Sequence, residues 1–130
     1  MRKPLLALAL FTLAACGGSD SGTGPGASPA GTYTLTSADN KPLPAVYADS
    51  SLKSGKLVIT DAGWSQLTVV QYVAGGSANG DTLTLAGAWA TSGSDITLWD
   101  GGLNTQYTGT FSSTGIILNT KTGTVLNYSK

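Results

Sequence analysis

The chain has 130 residues, enough for one domain, and its seven acidic and seven basic side chains balance to a formal charge of zero. It contains no histidine, which excludes Ser-His-Asp and Cys-His catalysis and imidazole metal sites. No arginine follows Arg2, and the later lysines are scattered. Because phosphate backbones require clustered cations, nucleic acid is disfavoured as a partner.

Residues 1–15 have the organisation of a secretory signal peptide. Arg2 and Lys3 supply a positive start, and the run Leu5–Ala15 is apolar except for Thr12. That run is too short for a membrane-spanning helix, which needs roughly 20 residues. We therefore expect this segment to be removed from the mature protein.

The only cysteine, Cys16, directly follows this segment. Leu13-Ala14-Ala15-Cys16 resembles the lipobox of bacterial lipoprotein precursors. The resemblance implies cleavage before Cys16 and attachment of a diacylglyceryl group, with acyl chains such as palmitate, to its sulfur. Gly17 stands where lipoproteins retained at the inner membrane usually carry Asp, which implies the outer membrane of the cell envelope. The alternative is an ordinary signal peptide with a cysteine beside its cleavage site.

The next segment, residues 16–30, consists of Cys16 and a stretch dense in Gly, Ser and Pro. No large apolar side chain is present in Gly17–Ala30, so this stretch cannot form a core. We expect a disordered stalk, with its ends roughly 20 Å apart.

Residues 31–130 carry short alternating apolar runs separated by turn residues, which predicts an all-β antiparallel domain. The runs, in chain order, are Thr32–Ser37, a Pro-broken edge piece at Leu43–Ala48, Lys56–Thr60, Trp64–Val73, Asp81–Thr91, Asp95–Trp99, Gln106–Phe111, Ile116–Thr120 and Thr124–Tyr128. Since exposed strand edges must be hidden, we expect an up-and-down meander of about eight strands that closes into a small barrel.

Four short motifs make this domain resemble small lipocalin-like bacterial lipoprotein domains. They are Gly31-Thr32-Tyr33, Asn40-Lys41-Pro42-Leu43-Pro44, Gly87-Ala88-Trp89 and the final Leu126-Asn127-Tyr128-Ser129-Lys130. The resemblance covers nearly all of residues 31–130 and implies a lipocalin-like barrel. Tyr33 stands where lipocalins usually carry Trp, and the domain is shorter than theirs, which argues against a large ligand cavity.

Aromatic residues are the candidate ligand-binding groups. Tyr33, Trp89, Tyr107 and Phe111 share the strand faces that carry Leu and Ile, so they form either the core or an aromatic-lined pocket at one mouth of the barrel. Trp99 alternates out of phase with Ile96 and Leu98 and should face outward, where it could contact a sugar, a lipid or a protein. The orientation of Trp64 is ambiguous, since both faces of its run are half apolar.

Several short patterns are reminiscent of catalytic or metal sites. They are Ser50-Ser51-Leu52-Lys53 and Lys121-Thr122-Gly123, which match motifs of penicillin-recognising serine enzymes, the triplet Asp20-Ser21-Gly22, and the strand-end carboxylates Asp81, Asp95 and Asp100. Each falls where a turn or the stalk is expected, and Ser, Thr, Gly and Asp are ordinary turn residues. We therefore expect a protein that is not an enzyme and has no cofactor or metal.

These features favour a non-enzymatic lipoprotein of the cell envelope. Its partners would be a membrane, through lipid on Cys16, and a small apolar ligand in or at the mouth of the barrel. The alternative is a structural or protein-interaction module with a filled core that meets another envelope protein. An empty interior volume of about 300 Å³ or more, lined by aromatic side chains, would favour the first, and a close-packed interior the second.

Overall fold

The computed structural model describes residues 28–72, 80–101 and 106–130. Within these ranges every regular element is a strand, and no helix is long and apolar enough to cross a membrane. The strands are β1 (Gly31–Ala38), β2 (Lys41–Pro42), β3 (Ala45–Val46), β4 (Ser50–Thr60), β5 (Gly63–Tyr72), β6 (Asp81–Ser92), β7 (Asp95–Asp100), β8 (Gln106–Phe111), β9 (Gly115–Asn119) and β10 (Val125–Ser129).

The strands form one antiparallel sheet that closes on itself. Its order is β2-β1-β10-β9-β8-β7-β6-β5-β4-β3, and an additional pairing of β1 with β4 completes a ring of eight strands. From β4 to β10, each strand pairs with the next one in the chain, as in an up-and-down meander. The predicted all-β meander of about eight strands closing into a barrel is therefore confirmed.

The seam between β1 and β4 is paired along only part of its length. Residues 31–34 of β1 pair with residues 56–59 of β4. Farther along, β2 pairs with β1 and β3 pairs with β4, so the segment 41–46 occupies the gap. The predicted Pro-broken edge piece, Leu43–Ala48, contains β3, and β2 lies just before it. Pro42 and Pro44 have no backbone N–H to donate to a longer ladder.

We name each end of the barrel after a residue that lies there. The Gly31 end contains the start of β1 and the turns at residues 60–63, 92–95 and 111–115. The Asn40 end contains the turns at residues 38–41 and 119–125 and the segment 43–50. These two ends differ in how completely they are closed.

The barrel interior contains a single apolar core. Alternate residues of the ring strands face inward, as the period of two predicts, and outward positions are mostly Thr, Ser and Ala. The largest fully buried side chains on the strands are Tyr33, Leu57, Ile59, Ile96, Leu98, Ile116 and Leu118. Burying each of these stabilises the fold by about 1.5–3 kcal/mol. Trp64, ambiguous in the sequence, is buried in the same core.

Strand β4 begins at Ser50, six residues before its predicted start at Lys56. The prediction of a turn at Ser50–Lys53 was wrong. A register shift between Leu52 and Ser54 interrupts the alternation that would have marked the strand. Gly55 is buried in the strand, and its lack of a side chain allows Leu35 to pack closely, since a Cβ at residue 55 would lie 3.0 Å from the Leu35 side chain.

Candidate functional site

The Gly31 end is covered by the chain that enters it. Pro29 is fully buried, and its carbonyl accepts a hydrogen bond of 2.7 Å from the phenol of Tyr33. The Nζ of Lys130 donates to the carbonyl of Ala30 at 3.1 Å and lies 5.5 Å from the centroid of the Tyr33 ring. Burial raises the pKa of the Tyr33 phenol above its ordinary value. The packed domain thus includes Pro29, two residues before the predicted boundary.

The middle of the barrel contains a small polar group among the apolar side chains. The side-chain amide of Gln66 donates a hydrogen bond to the phenolic oxygen of Tyr128, and both residues are buried. Burial raises the pKa of Tyr128 to about 12, although the hydrogen bond from Gln66 opposes the shift. Burial and the nearby carboxylate of Asp100 also raise the pKa of Tyr107. Both phenols are therefore uncharged at neutral pH.

Trp64 links this polar group to the neighbouring wall. Its ring meets the ring of Tyr107 edge-on, with centroids 5.8 Å apart and planes at 83°. Its indole N–H donates to the backbone carbonyl of Trp99 at 3.1 Å. Side chains therefore fill this level of the barrel, which leaves the Asn40 end as the place where a ligand could enter.

Inward-facing apolar side chains are exposed at the Asn40 end. Leu85 pairs with the buried Gln66 and Leu83 pairs with Thr68, so both leucines face the interior. Leu85 and Val70 are only partly buried against the core, and Leu83 is 47% exposed. Water therefore reaches apolar groups on the inner wall at the Asn40 end.

An open pocket of about 550 Å³ lies at this end. Leu52 and Val70 supply its apolar wall, and the ring of Tyr47 stands at its rim. The remaining lining residues are polar and come from both sides of the mouth: Asp49, Ser50, Thr122 and Thr124. The pocket therefore combines an apolar wall with a hydrogen-bonding rim.

Asp39 holds the rim in place. Asp39 and Asn40 form the tight β1–β2 turn with φ values of 50° and 61°, which Asp and Asn tolerate better than most residues. One carboxylate oxygen of Asp39 accepts a 2.8 Å bond from the backbone N–H of Val125, and the other accepts a 3.1 Å bond from the phenol of Tyr47. Burial and the Asp39 carboxylate raise the pKa of Tyr47.

Lys41 supports the same ring from the other side. Its Nζ lies 4.5 Å from the Tyr47 ring centroid and donates to the carbonyl of Val46 at 3.1 Å. Alternation along the chain does not predict this cluster, because its members meet through contacts between three separate elements. The Asp39-Asn40 turn was the one signal visible in the sequence.

The five predicted ligand-binding aromatics do not line one pocket. Tyr33, Tyr107 and Phe111 are buried members of the core. Trp89 is partly buried at the Gly31 end, where its indole N–H donates to the carbonyl of Thr60 at 2.7 Å. Trp99 faces outward and is 40% exposed, as its phase predicted. The pocket at the Asn40 end is lined instead by Tyr47, which was not among the predicted residues.

The structure also shows where the patterns that resemble catalytic motifs lie. Ser50 starts a strand rather than a helix and donates to the carboxylate of Asp49 at 3.3 Å. Ser50 and Thr122 do reach the same pocket. Asp95 and Asp100 lie at opposite ends of β7, and among the described residues no group of three His, Cys, Asp or Glu is placed to hold a metal ion.

The predicted signal peptide, Cys16 and the triplet Asp20-Ser21-Gly22 lie outside the described residues. Comparisons with protein-family models, with curated proteins and with solved structures find no match for this chain.

Proposed function

We propose that this chain is a non-enzymatic lipoprotein of the bacterial cell envelope whose lipocalin-like barrel binds a small apolar ligand at the Asn40 end. The observation that carries the proposal is the exposure of Leu83, which faces the interior yet is 47% accessible. An inward-facing leucine at the mouth of a barrel is ordinarily covered by other side chains. Leu83 is not among the residues that line the pocket at this end, so a ligand that fills the pocket would extend across the mouth to cover Leu83.

The size and chemistry of the mouth support this assignment. A pocket of about 550 Å³ is within the range of small-molecule sites, which are mostly apolar with a few polar groups. Each CH₂ group of a ligand buried there contributes about 0.8 kcal/mol. Ser50, Thr122 and Thr124 offer hydroxyl groups for the polar end of such a ligand.

The filled interior determines how deep the ligand reaches. Gln66, Tyr128 and Tyr107 occupy the middle of the barrel, so a ligand would rest on this level instead of passing through it. The ligand is therefore held at the mouth of the barrel, and its size is limited. This agrees with the short length of the domain relative to the lipocalins it resembles.

The tether would attach at the opposite end. A lipid group on Cys16 anchors the chain to a membrane, with the outer membrane favoured by Gly17, and the stalk runs from Cys16 to the buried Pro29. The described chain enters the barrel at the Gly31 end, so the stalk would join the barrel there. The mouth at the Asn40 end would then face away from the stalk.

A fluorescent fatty acid, 11-(dansylamino)undecanoic acid, tests the proposal. The protein is secreted as a Cys16→Ser chain, so that no detergent competes for the mouth. We expect the dansyl emission to rise on binding, and Leu83→Asp to weaken binding by about tenfold or more, because the charge would be buried beneath the ligand. Leu67→Asp is the matched control, since Leu67 is 44% exposed but faces outward on the adjacent strand.

The alternative is a protein-interaction or structural module, which the filled middle of the barrel favours. In that case neither Leu83→Asp nor Leu67→Asp would alter probe binding, because no specific site for the probe would exist. Loss of binding in both variants would indicate non-specific adsorption to exposed leucines and would equally contradict the ligand site.

A further inference from the structure

The outer surface of the barrel carries a second groove, distinct from the mouth. It has a volume of about 530 Å³ and lies over β7, β8 and the end of β9. The described lining residues are Trp99, Gln106, Thr108, Asn119, Thr120 and Lys121. Trp99 pairs with Gln106, and Thr108 pairs with Asn119, so the strand register places these side chains side by side.

The side chain of Trp99 lies on the outer face of β7, away from the core. The neighbours Leu98 and Asp100 are buried, whereas Trp99 faces solvent and is 40% exposed. The contact that ties this residue to the core uses its backbone carbonyl, which accepts the hydrogen bond from Trp64. On the adjacent strand, the residue opposite Trp99 is Ala88, which is too small to cover a large ring.

The rest of the groove is polar. The Asn119 amide donates to the carbonyl of Thr108 at 3.3 Å, and the Thr120 hydroxyl accepts a 3.0 Å bond from the backbone N–H of Thr124. These bonds orient an amide and a hydroxyl beside the indole. Amides and hydroxyls both donate and accept hydrogen bonds, as sugar hydroxyls require.

One aromatic ring surrounded by amides and hydroxyls matches the surface of a sugar. A pyranose presents an apolar face of C–H groups, which can stack on an indole, and a perimeter of hydroxyls, which can bond to Gln106 and Asn119. An acyl chain or a protein hot spot would require more apolar area than Trp99 alone supplies. Lys121 is the one charged side chain among the six described lining residues, so charge complementarity favours an anionic sugar.

We propose that this groove binds a carboxylate-bearing oligosaccharide, with a sugar ring stacked on Trp99 and the carboxylate directed to Lys121. The site is separate from the apolar mouth. Leu83→Asp should therefore leave saccharide binding unchanged, and failure of one site does not imply failure of the other.

Trigalacturonic acid and its uncharged methyl ester are the probes. They are titrated into the full chain in a detergent without a sugar headgroup, and the indole and backbone N–H resonances are followed by NMR. The backbone amides of Gln106 and Asn119, which line the groove, report binding in the variants that lack the Trp99 indole. We expect the acid to shift the Trp99 resonance and Trp99→Ala to weaken binding by about tenfold. Trp99→Phe should retain part of the affinity by stacking. Lys121→Gln should weaken binding of the acid without affecting the ester.

Ile117→Ala is the matched control, because Ile117 is 46% exposed on the outer surface but lies outside the groove. It should bind the acid as the unaltered chain does. The proposal is overturned if neither probe shifts the Trp99 resonance, if acid and ester bind equally well, or if Trp99→Ala binds like the unaltered chain. Sedimentation showing self-association that Trp99→Ala abolishes would also overturn it, since the groove would then be an interface between copies.

Discussion

The side-chain amide of Gln66 on β5 donates a hydrogen bond to the phenolic oxygen of Tyr128 on β10, across the interior of the barrel. The two residues are 62 positions apart in the chain, and their strands are not neighbours in the sheet. The bond thus joins two walls that the backbone ladder does not join directly.

Removing either partner of this bond should destabilise the barrel. Gln66→Leu leaves the Tyr128 hydroxyl buried without its donor, and Tyr128→Phe leaves the amide without its acceptor. We expect each change to lower the free energy of unfolding by about 1–3 kcal/mol, as measured by urea denaturation. The double variant should be more stable than the sum of the two predicts, because no polar group then loses its partner. Strictly additive losses would contradict a direct interaction.

The same phenol predicts how stability depends on alkaline pH. Tyr128 has an ordinary pKa of 10.0 and a folded-state pKa of about 12, so the unfolded chain releases its proton first. The protonated Tyr128 phenol therefore contributes to the free energy of unfolding. Its contribution is fully present below pH 10.0 and is lost as the pH rises to about 12, at about 1.4 kcal/mol per pH unit.

Urea titrations between pH 8 and pH 12 would measure the slope of the free energy of unfolding. In the Gln66→Leu/Tyr128→Phe variant the slope should become shallower without vanishing, because Tyr33, Tyr47 and Tyr107 also have raised pKa values. An unchanged slope would show that Tyr128 does not titrate as described.

Asp39 should control the order of the rim at the Asn40 end. Asp39→Ala removes the acceptors used by Val125 and Tyr47, so we expect a loss of about 1–3 kcal/mol and faster hydrogen exchange at the Val125 amide. Asp39→Asn retains one carbonyl oxygen and tolerates positive φ, so its effect should be smaller. Equal exchange rates in the two variants would argue against the carboxylate bonds.

Cys16→Ser tests the separation of tether and barrel. The substitution removes the sulfur that we propose is acylated, so we expect the protein to move from the detergent phase to the aqueous phase in phase partitioning. Its circular dichroism should keep the β-sheet spectrum of the unaltered protein, because the described core begins at Pro29. A Cys16→Ser chain that remained membrane-bound would contradict lipid anchoring through this residue.

The strands could be predicted from the sequence where apolar and polar side chains alternate without interruption. Leu57 with Ile59, and Ile96 with Leu98, alternate without interruption, and the predicted strand Gln106–Phe111 has the observed bounds. The start of β4 could not be predicted, because the register shift near Leu52 breaks the period of two. Alternation identifies the face on which a residue lies and leaves open whether anything covers that face.

The candidate site was correspondingly harder to predict. The inward direction of Leu83 follows from its pattern, but its exposure depends on the segments around the mouth. Tyr47 becomes a rim residue through Asp39 and Lys41, whose positions result from the β1–β2 turn. Trp99, in contrast, was predicted to face outward from its phase alone, since one residue out of register with Ile96 and Leu98 must lie on the other face.

The β1–β4 pairing has a consequence for molecular recognition. Every ring strand already has a neighbour on both sides, so in the described part of the chain only the two-residue strands β2 and β3 end the sheet. A partner therefore cannot extend this sheet by adding a long strand of its own. A partner of this domain must therefore contact side chains and loops. Substitutions on the surface can then alter which partner binds while the hydrogen-bonded ring of strands remains intact.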